Sequence, residues 1–150
     1  MYLSAYLTLL QSAEEALAES YRQVAQGHRL EADVHYICTT FARQCDERRA
    51  ALTPVVERYG HAGEPERLHP DGLSETRAGL IGLLRDLQDV YQLANLVDIT
   101  WTLTGQAAHG ARDRALIDIV AHCNPEVGGQ LAWLRMRMKS TAPQALLVAS

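Results

Sequence analysis

What the chain lacks narrows its class before anything it contains. It has no basic excess: 14 Lys and Arg stand against 18 Asp and Glu, for a formal charge of −4. That balance leaves no electrostatic footprint for a nucleic-acid backbone or an anionic membrane, so neither is an expected partner. No window of about 18 residues is continuously apolar, because Glu14, Glu15 and Glu19 break the first hydrophobic stretch and charges recur beyond it. No membrane span is expected. The apolar start, Met1 to Leu10, lacks the basic region and small-residue cleavage site of a secretory signal, and a cytoplasmic location follows as the expectation. Cysteine is scarce, 3 in 150 residues, and an odd number without a secretory signal points to reduced thiols rather than a disulfide framework. Cys38 and Cys45 fall on one helix at about 10 Å separation, beyond disulfide reach. A GxSxG elbow, CxxC pairs, HExxH and glycine-rich phosphate loops are all missing, which removes the usual hydrolase, zinc-ribbon, metalloprotease and nucleotide signatures.

What is there reads as one compact domain over residues 1–150. With 47% hydrophobic and 21% charged residues, a chain of this length buries roughly two-thirds of the surface it exposes when unfolded. Helix-type spacing runs through nearly all of it, and period-two alternation is almost absent, so the fold class is all-α. The first helix spans about residues 3 to 26 on the seam Leu3, Tyr6, Leu10, Ala13, Leu17, Tyr21 and Val24, with Gly27 as its stop. A second runs from about 30 to Tyr59 on Val34, Cys38, Phe41, Cys45, Arg48, Leu52, Val55 and Tyr59, with a kink or early end expected at Pro54. The stretch 60–72, GHAGEPERLHPDG, is the one long loop. A third helix, about Ser74 to Gln106, carries Leu80, Leu84, Leu87, Tyr91, Ala94, Asp98, Trp101 and Gly105, with Leu73 and Arg77 in the same register. The fourth starts near Arg112 and is expected to break at Asn124-Pro125-Glu126, where Asn suits an N-cap, Pro the first helical position and Glu the helix dipole. The tail 142–150 is apolar enough to dock.

Four amphipathic helices make an antiparallel four-helix bundle the favoured architecture. A loop of residues 60–72 stretched along a helix of nearly 30 residues has no slack, since each spans about 43 Å, so simple up-down-up-down order is expected. Counting from the turns in that order brings Tyr21, His35, Asp98 and Ile119 to one level, and Cys38, Ala94 and Cys123 to the next. Glu31, His35 and Cys38 share one stripe of helix two. With Asp98 and Cys123 they form a candidate intrabundle metal set for iron or zinc. The alternative is a structural His–Asp pair among cysteines that serve as small core fillers.

Other buried polar candidates are Tyr21, Tyr91, Glu14, at the level of Phe41, Tyr91 and Glu126, where a Glu–Tyr hydrogen bond is expected, and Arg48, expected to pair with Asp86. Asp118 and His122 face outward, and His28, His61, His69 and His109 sit in turns or the loop as solvated side chains. Trp101, Trp133 and Tyr91 pack the core.

Over about residues 3 to 140 the chain resembles ferritin-like and related four-helix bundle proteins. That family places a Glu on two helices and Glu-x-x-His on the other two; the nearest equivalents are Glu14, Glu31 followed by His35, and Asp98, with no matching Glu-x-x-His on the fourth helix. The resemblance implies the bundle fold and an intrabundle metal site. RDLQDVYQLA and QLAWLRMRMK are also similar to segments of uncharacterised bacterial helical proteins. Two functions are expected on these grounds: a non-catalytic bundle that self-associates or binds a protein partner through its apolar tail and a helix face, or a ferritin-like metal-binding protein with its ion near His35 and Asp98.

Overall fold

A computed structural model describes residues 2–60 and 70–148. Four helices pack into an all-α bundle, as the periodicity requires: α1 (Leu3–Gly27), α2 (Ala32–Tyr59), α3 (Gly79–Gly110) and α4 (Arg114–Pro143), followed by one π-helical turn, Gln144–Val148. No strand occurs among the described residues. The apolar seams do face inward: Leu10, Leu17, Tyr21 and Val24 of α1 meet Val34, Cys38, Cys45 and Leu52 of α2, and Leu87, Ala94 and Trp101 of α3 meet Leu116, Val127 and Leu134 of α4. Burial of these side chains, at about 25 cal/mol per Å², supplies the main driving force.

Cross-helix bonds give each helix its direction. From α1 to α2, Ser4 Oγ reaches the Tyr59 carbonyl, Glu15 pairs with Arg49, and His35 Nδ1 meets the Ala25 carbonyl, so the two run antiparallel. From α1 to α3, Tyr2 and Tyr6 share a cavity with Leu103 and Ala107, Glu14 meets Trp101, and His28 meets Asp86, so these too are antiparallel. Likewise α4 opposes α2, through Asp113 with Tyr59, Gln130 with Gln44 and Arg137 with Asp33, and it opposes α3 across the short Gly110–Asp113 turn. Lateral neighbours are therefore antiparallel, but α2 and α3 point the same way, and the chain order is up-down-down-up rather than the expected up-down-up-down.

The reason is the length of the connection. Helix α3 begins at Gly79, not near Ser74, so residues 60–78 are available to cross the bundle, up to about 60 Å of extended chain against about 42 Å for α2. Residues 61–69, which include His61 and His69, lie outside the described residues. The part that follows is pinned along α1. The Leu73 N–H donates to Ser20 Oγ at 3.0 Å. Thr76 sits where a Gly27 side chain would be, and the Arg77 N–H and guanidinium both donate to Asp86, at 3.0 and 2.8 Å. Tying Arg77 to a carboxylate holds residues 73–78 out of helix, and Gly79, at φ +74°, turns the chain into α3.

The expected break at Asn124-Pro125 does not occur, nor does an early end of α2 at Pro54. Helix α4 continues through Pro125, because Asn124 does not cap the backbone: its Nδ2 donates to Asp98 Oδ1 at 3.0 Å and its Oδ1 accepts from Thr102. Packing on α3 overrides the local stop signal, and Pro125 sits on the exposed face, where the carbonyl it frees meets water. Helix α2 likewise continues past Pro54 to Tyr59, whose hydroxyl donates to Asp113 at 2.6 Å. The tail is docked only in part: Ala145 is buried, Leu146, Leu147 and Val148 are exposed, and residues 149–150 lie outside the described residues.

The close approach at Gly27 is testable. A Cβ there would stand 2.1 Å from Thr76 Oγ1, so Gly27→Ala should destabilise by about 1–3 kcal/mol despite the better helix propensity of Ala. Thr76→Gly in the same chain should recover most of the loss; urea midpoints that do not separate the two variants would contradict the contact.

Candidate functional site

The expected metal set does not assemble. His35 is exposed on the second turn of α2, with Nδ1 on the Ala25 carbonyl at 2.8 Å. Glu31, at the N-cap of α2, faces Arg137 at 3.3 Å, and Asp98 is held by Asn124. Reversal of α3 explains the separation: Asp98 lies near the level of Cys45, ten residues or about 15 Å along α2 from His35. Cys38 and Cys123 are buried core side chains on different helices. Burial pushes the Cys38 thiol up to about 12 and that of Cys123 up to about 11, so both are neutral thiols near pH 7 rather than thiolate ligands. Among the described residues no group of three or more His, Cys, Asp or Glu is placed to hold a metal ion, and these donors do not fit iron or zinc.

The polar centre is built instead around Arg48. Its guanidinium, 2% exposed, meets Glu14, 0% exposed, in a two-point pair: Nε to Oε2 at 2.5 Å and Nη2 to Oε1 at 2.9 Å. Its third nitrogen, Nη1, donates to Glu126 Oε1 of α4 at 2.6 Å. Nη2 also faces Cys45 Sγ at 3.2 Å and Gln130 Oε1 at 3.4 Å. The Trp101 indole of α3 donates to Glu14 Oε2 at 2.9 Å, and the Tyr21 hydroxyl donates to Gln130 Oε1 at 3.1 Å. Gln130 passes the chain on to Gln44 at 2.9 Å. All four helices contribute. Around it Phe41 packs edge-on against Tyr21 and Trp133, with ring centroids 5.3 and 5.7 Å apart, closing one side to water.

Burial opposes the charge on Arg48, but the hydrogen bonds and charge of Glu14 more than offset it, and the guanidinium titrates above its ordinary value. Burial, then the neighbouring Cys45 and Cys38, pushes Tyr21 well up, and burial does the same to Cys45. The centre is therefore one cation between two carboxylates with neutral phenol and thiols around it. Cross-helix bonds tie that set together, which makes it a structural key.

Several expectations are corrected here. Arg48 pairs with Glu14 and Glu126, not with Asp86, and Glu14 takes Arg48 and Trp101 rather than the half-buried Tyr91. Both follow from the direction of α3. His28 is not a solvated turn residue: it is buried, with Nε2 2.7 Å from Asp86 Oδ2. No spacing signal marked it, because its partner comes from a helix distant in sequence. The placement of Glu14 and Glu126 at one level holds, as do the outward Asp118, His122 and His109 and the buried Trp101.

Compared with known proteins, the chain matches no family model, and no curated protein and no solved structure matches it significantly. No helix among the described residues is long and apolar enough to cross a membrane.

Two outcomes are expected. Arg48→Met strands the buried Glu14 carboxylate and should lower the unfolding free energy by about 3–5 kcal/mol; adding Glu14→Leu and Glu126→Gln should restore most of it, and equal urea midpoints for the single and triple variants would refute the pairing. The buried thiols set an alkaline limit. Each titrates higher in the folded than in the unfolded chain, whose ordinary value is 9.0. Stability is thus full below about pH 9 and drains as pH climbs toward 12. Urea midpoints should fall over that window and fall less in a Cys38→Ala, Cys123→Ala chain.

Proposed function

We propose that this protein is a non-catalytic helical bundle that works by associating with a second copy of itself. The observation that carries the reading is the character of one end of the bundle, where α1 finishes, α2 and α3 begin and α4 runs into the tail. Leu30 is 95% exposed and Leu147 83%, and Tyr36, Leu146 and Val148 are also exposed at that end. Apolar side chains gathered this way, on a bundle whose interior polar groups are consumed by one another, support an association surface. The same end carries acid and base together, Glu31 and Asp33 beside Arg29 and Arg137. A two-fold contact sets such a surface against itself, acid to base, which favours a second copy over an unlike partner.

A second reading, a ferritin-like metal-binding bundle, draws on the up-down-down-up order and on Glu14 and Glu126, carboxylates of α1 and α4 that converge in the core. Arg48 and Gln130 stand between them, and the guanidinium supplies the positive charge that an ion contributes in such a site.

Native mass and sedimentation of the full chain, of a chain ending at Pro143 and of Leu147→Glu test the first reading. A dimer or larger species is expected, weakened by about tenfold or more in each variant with unchanged helicity. A monomer for all three at about 50 µM overturns it. Elemental analysis of the full chain tests the second: near-stoichiometric iron or zinc that disappears in a Glu14→Gln, Glu126→Gln chain would displace the first reading in its favour.

A further inference from the structure

At the opposite end of the bundle, the start of α1 and the last turns of α3 flank a cavity of about 240 Å³, open on one side to solvent and lined by Tyr2, Leu3, Tyr6, Leu103, Thr104 and Ala107. No charged side chain is among them. Thr104 is 1% exposed, and its Oγ1 is a buried side-chain polar atom with no hydrogen-bond partner among the described residues. Leaving a buried hydroxyl unpaired is costly, and the cost is usually avoided within the helix itself. Its neighbours do so: Thr100 donates to the Leu96 carbonyl at 2.6 Å and Thr102 to that of Asp98 at 3.0 Å. Thr104 makes no such bond to Thr100, although a helical threonine has two accessible rotamers and one of them serves that carbonyl.

We propose that this cavity is a binding site for a small uncharged ligand, a single ring bearing one hydroxyl or carbonyl, whose polar atom pairs with Thr104 and whose ring packs between Tyr6 and Leu103. Size sets the upper limit. A dry cavity of about 150 Å³ takes benzene, so this one takes a substituted single ring and not a larger ring system. Charge sets the second limit, because an ionised ligand would lose its hydration and find no counter-charge among the lining residues. The orphan hydroxyl sets the third: a ligand with one donor or acceptor gains over the pure hydrocarbon, and the two rotamers of Thr104 let its oxygen swing to meet it. The site goes beyond self-association and lies at the far end from the surface assigned to it, so either can fail without the other.

Phenol, toluene and benzoate, titrated into the full chain and followed by ligand-observed NMR and calorimetry, test it. Phenol should bind about five- to tenfold more tightly than toluene, the worth of one hydrogen bond, and benzoate should not bind. Thr104→Val keeps the shape and removes the hydroxyl; it should melt no lower than the parent chain and bind phenol and toluene alike. Leu103→Trp fills the cavity and should abolish both. The proposal is overturned if phenol fails to bind at about 10 mM, if its preference over toluene survives in Thr104→Val, or if Leu103→Trp, folded by circular dichroism, still binds it.

Discussion

A guanidinium cannot be taken out of water alone, and the rest of this bundle is arranged around that constraint. Arg48 needs carboxylates from two other helices, and a fourth helix completes the shell with the Trp101 indole on Glu14. Apolar seams of Leu, Ala and Val repeat every three or four residues and tolerate a one-turn slip of one helix past another. A fork of five donors with assigned acceptors does not. One charge thus keys α1, α2, α3 and α4 to a single axial register, and the surrounding thiols and phenol stay neutral in its company.

How far the sequence could be read follows the range of the forces involved. Seams were legible residue by residue, from Leu10 to Val24 and from Val34 to Val55, because periodicity is a local property of amphipathic helices. The shared level of Glu14 and Glu126 also came through. Chain order did not, because it turned on whether residues 73–78 are helix, and that is decided by contacts of Ser20, Gly27 and Asp86, all remote in sequence. Every wrong partner inherited that single reversal: His35 for Asp98, Asp86 for Arg48, Tyr91 for Glu14. The break expected at Pro125 failed for a different reason, the diversion of the Asn124 amide to Asp98. His28 was invisible because a lone imidazole in a turn has no pattern of its own.

Interior and surface divide the labour cleanly. Inside, the charged groups are paired: Arg48 with its acids, and Asp86 with His28 and Arg77. Arg48, Glu14 and Asp86 are buried, and hydrogen-bonded buried charges favour a unique packing. Exposed apolar side chains remain at both ends of the bundle, Leu30 and Leu147 at one and Tyr2 and Leu103 at the other. The ends differ: one carries both signs of charge, and at the other a small pocket is lined by uncharged residues.

The crossover of residues 60–78 has a consequence for how the chain folds. Its two halves are helical hairpins, α1 with α2 and α3 with α4, each closed by a tight turn and rich in local contacts. Each can form early and independently, on the fast timescale of short loops. The segment between them is then a tether that raises the effective concentration of one hairpin for the other. Docking of one hairpin on the other completes the Arg48 set, since Glu14 lies beside it in the first hairpin while Glu126 belongs to the second.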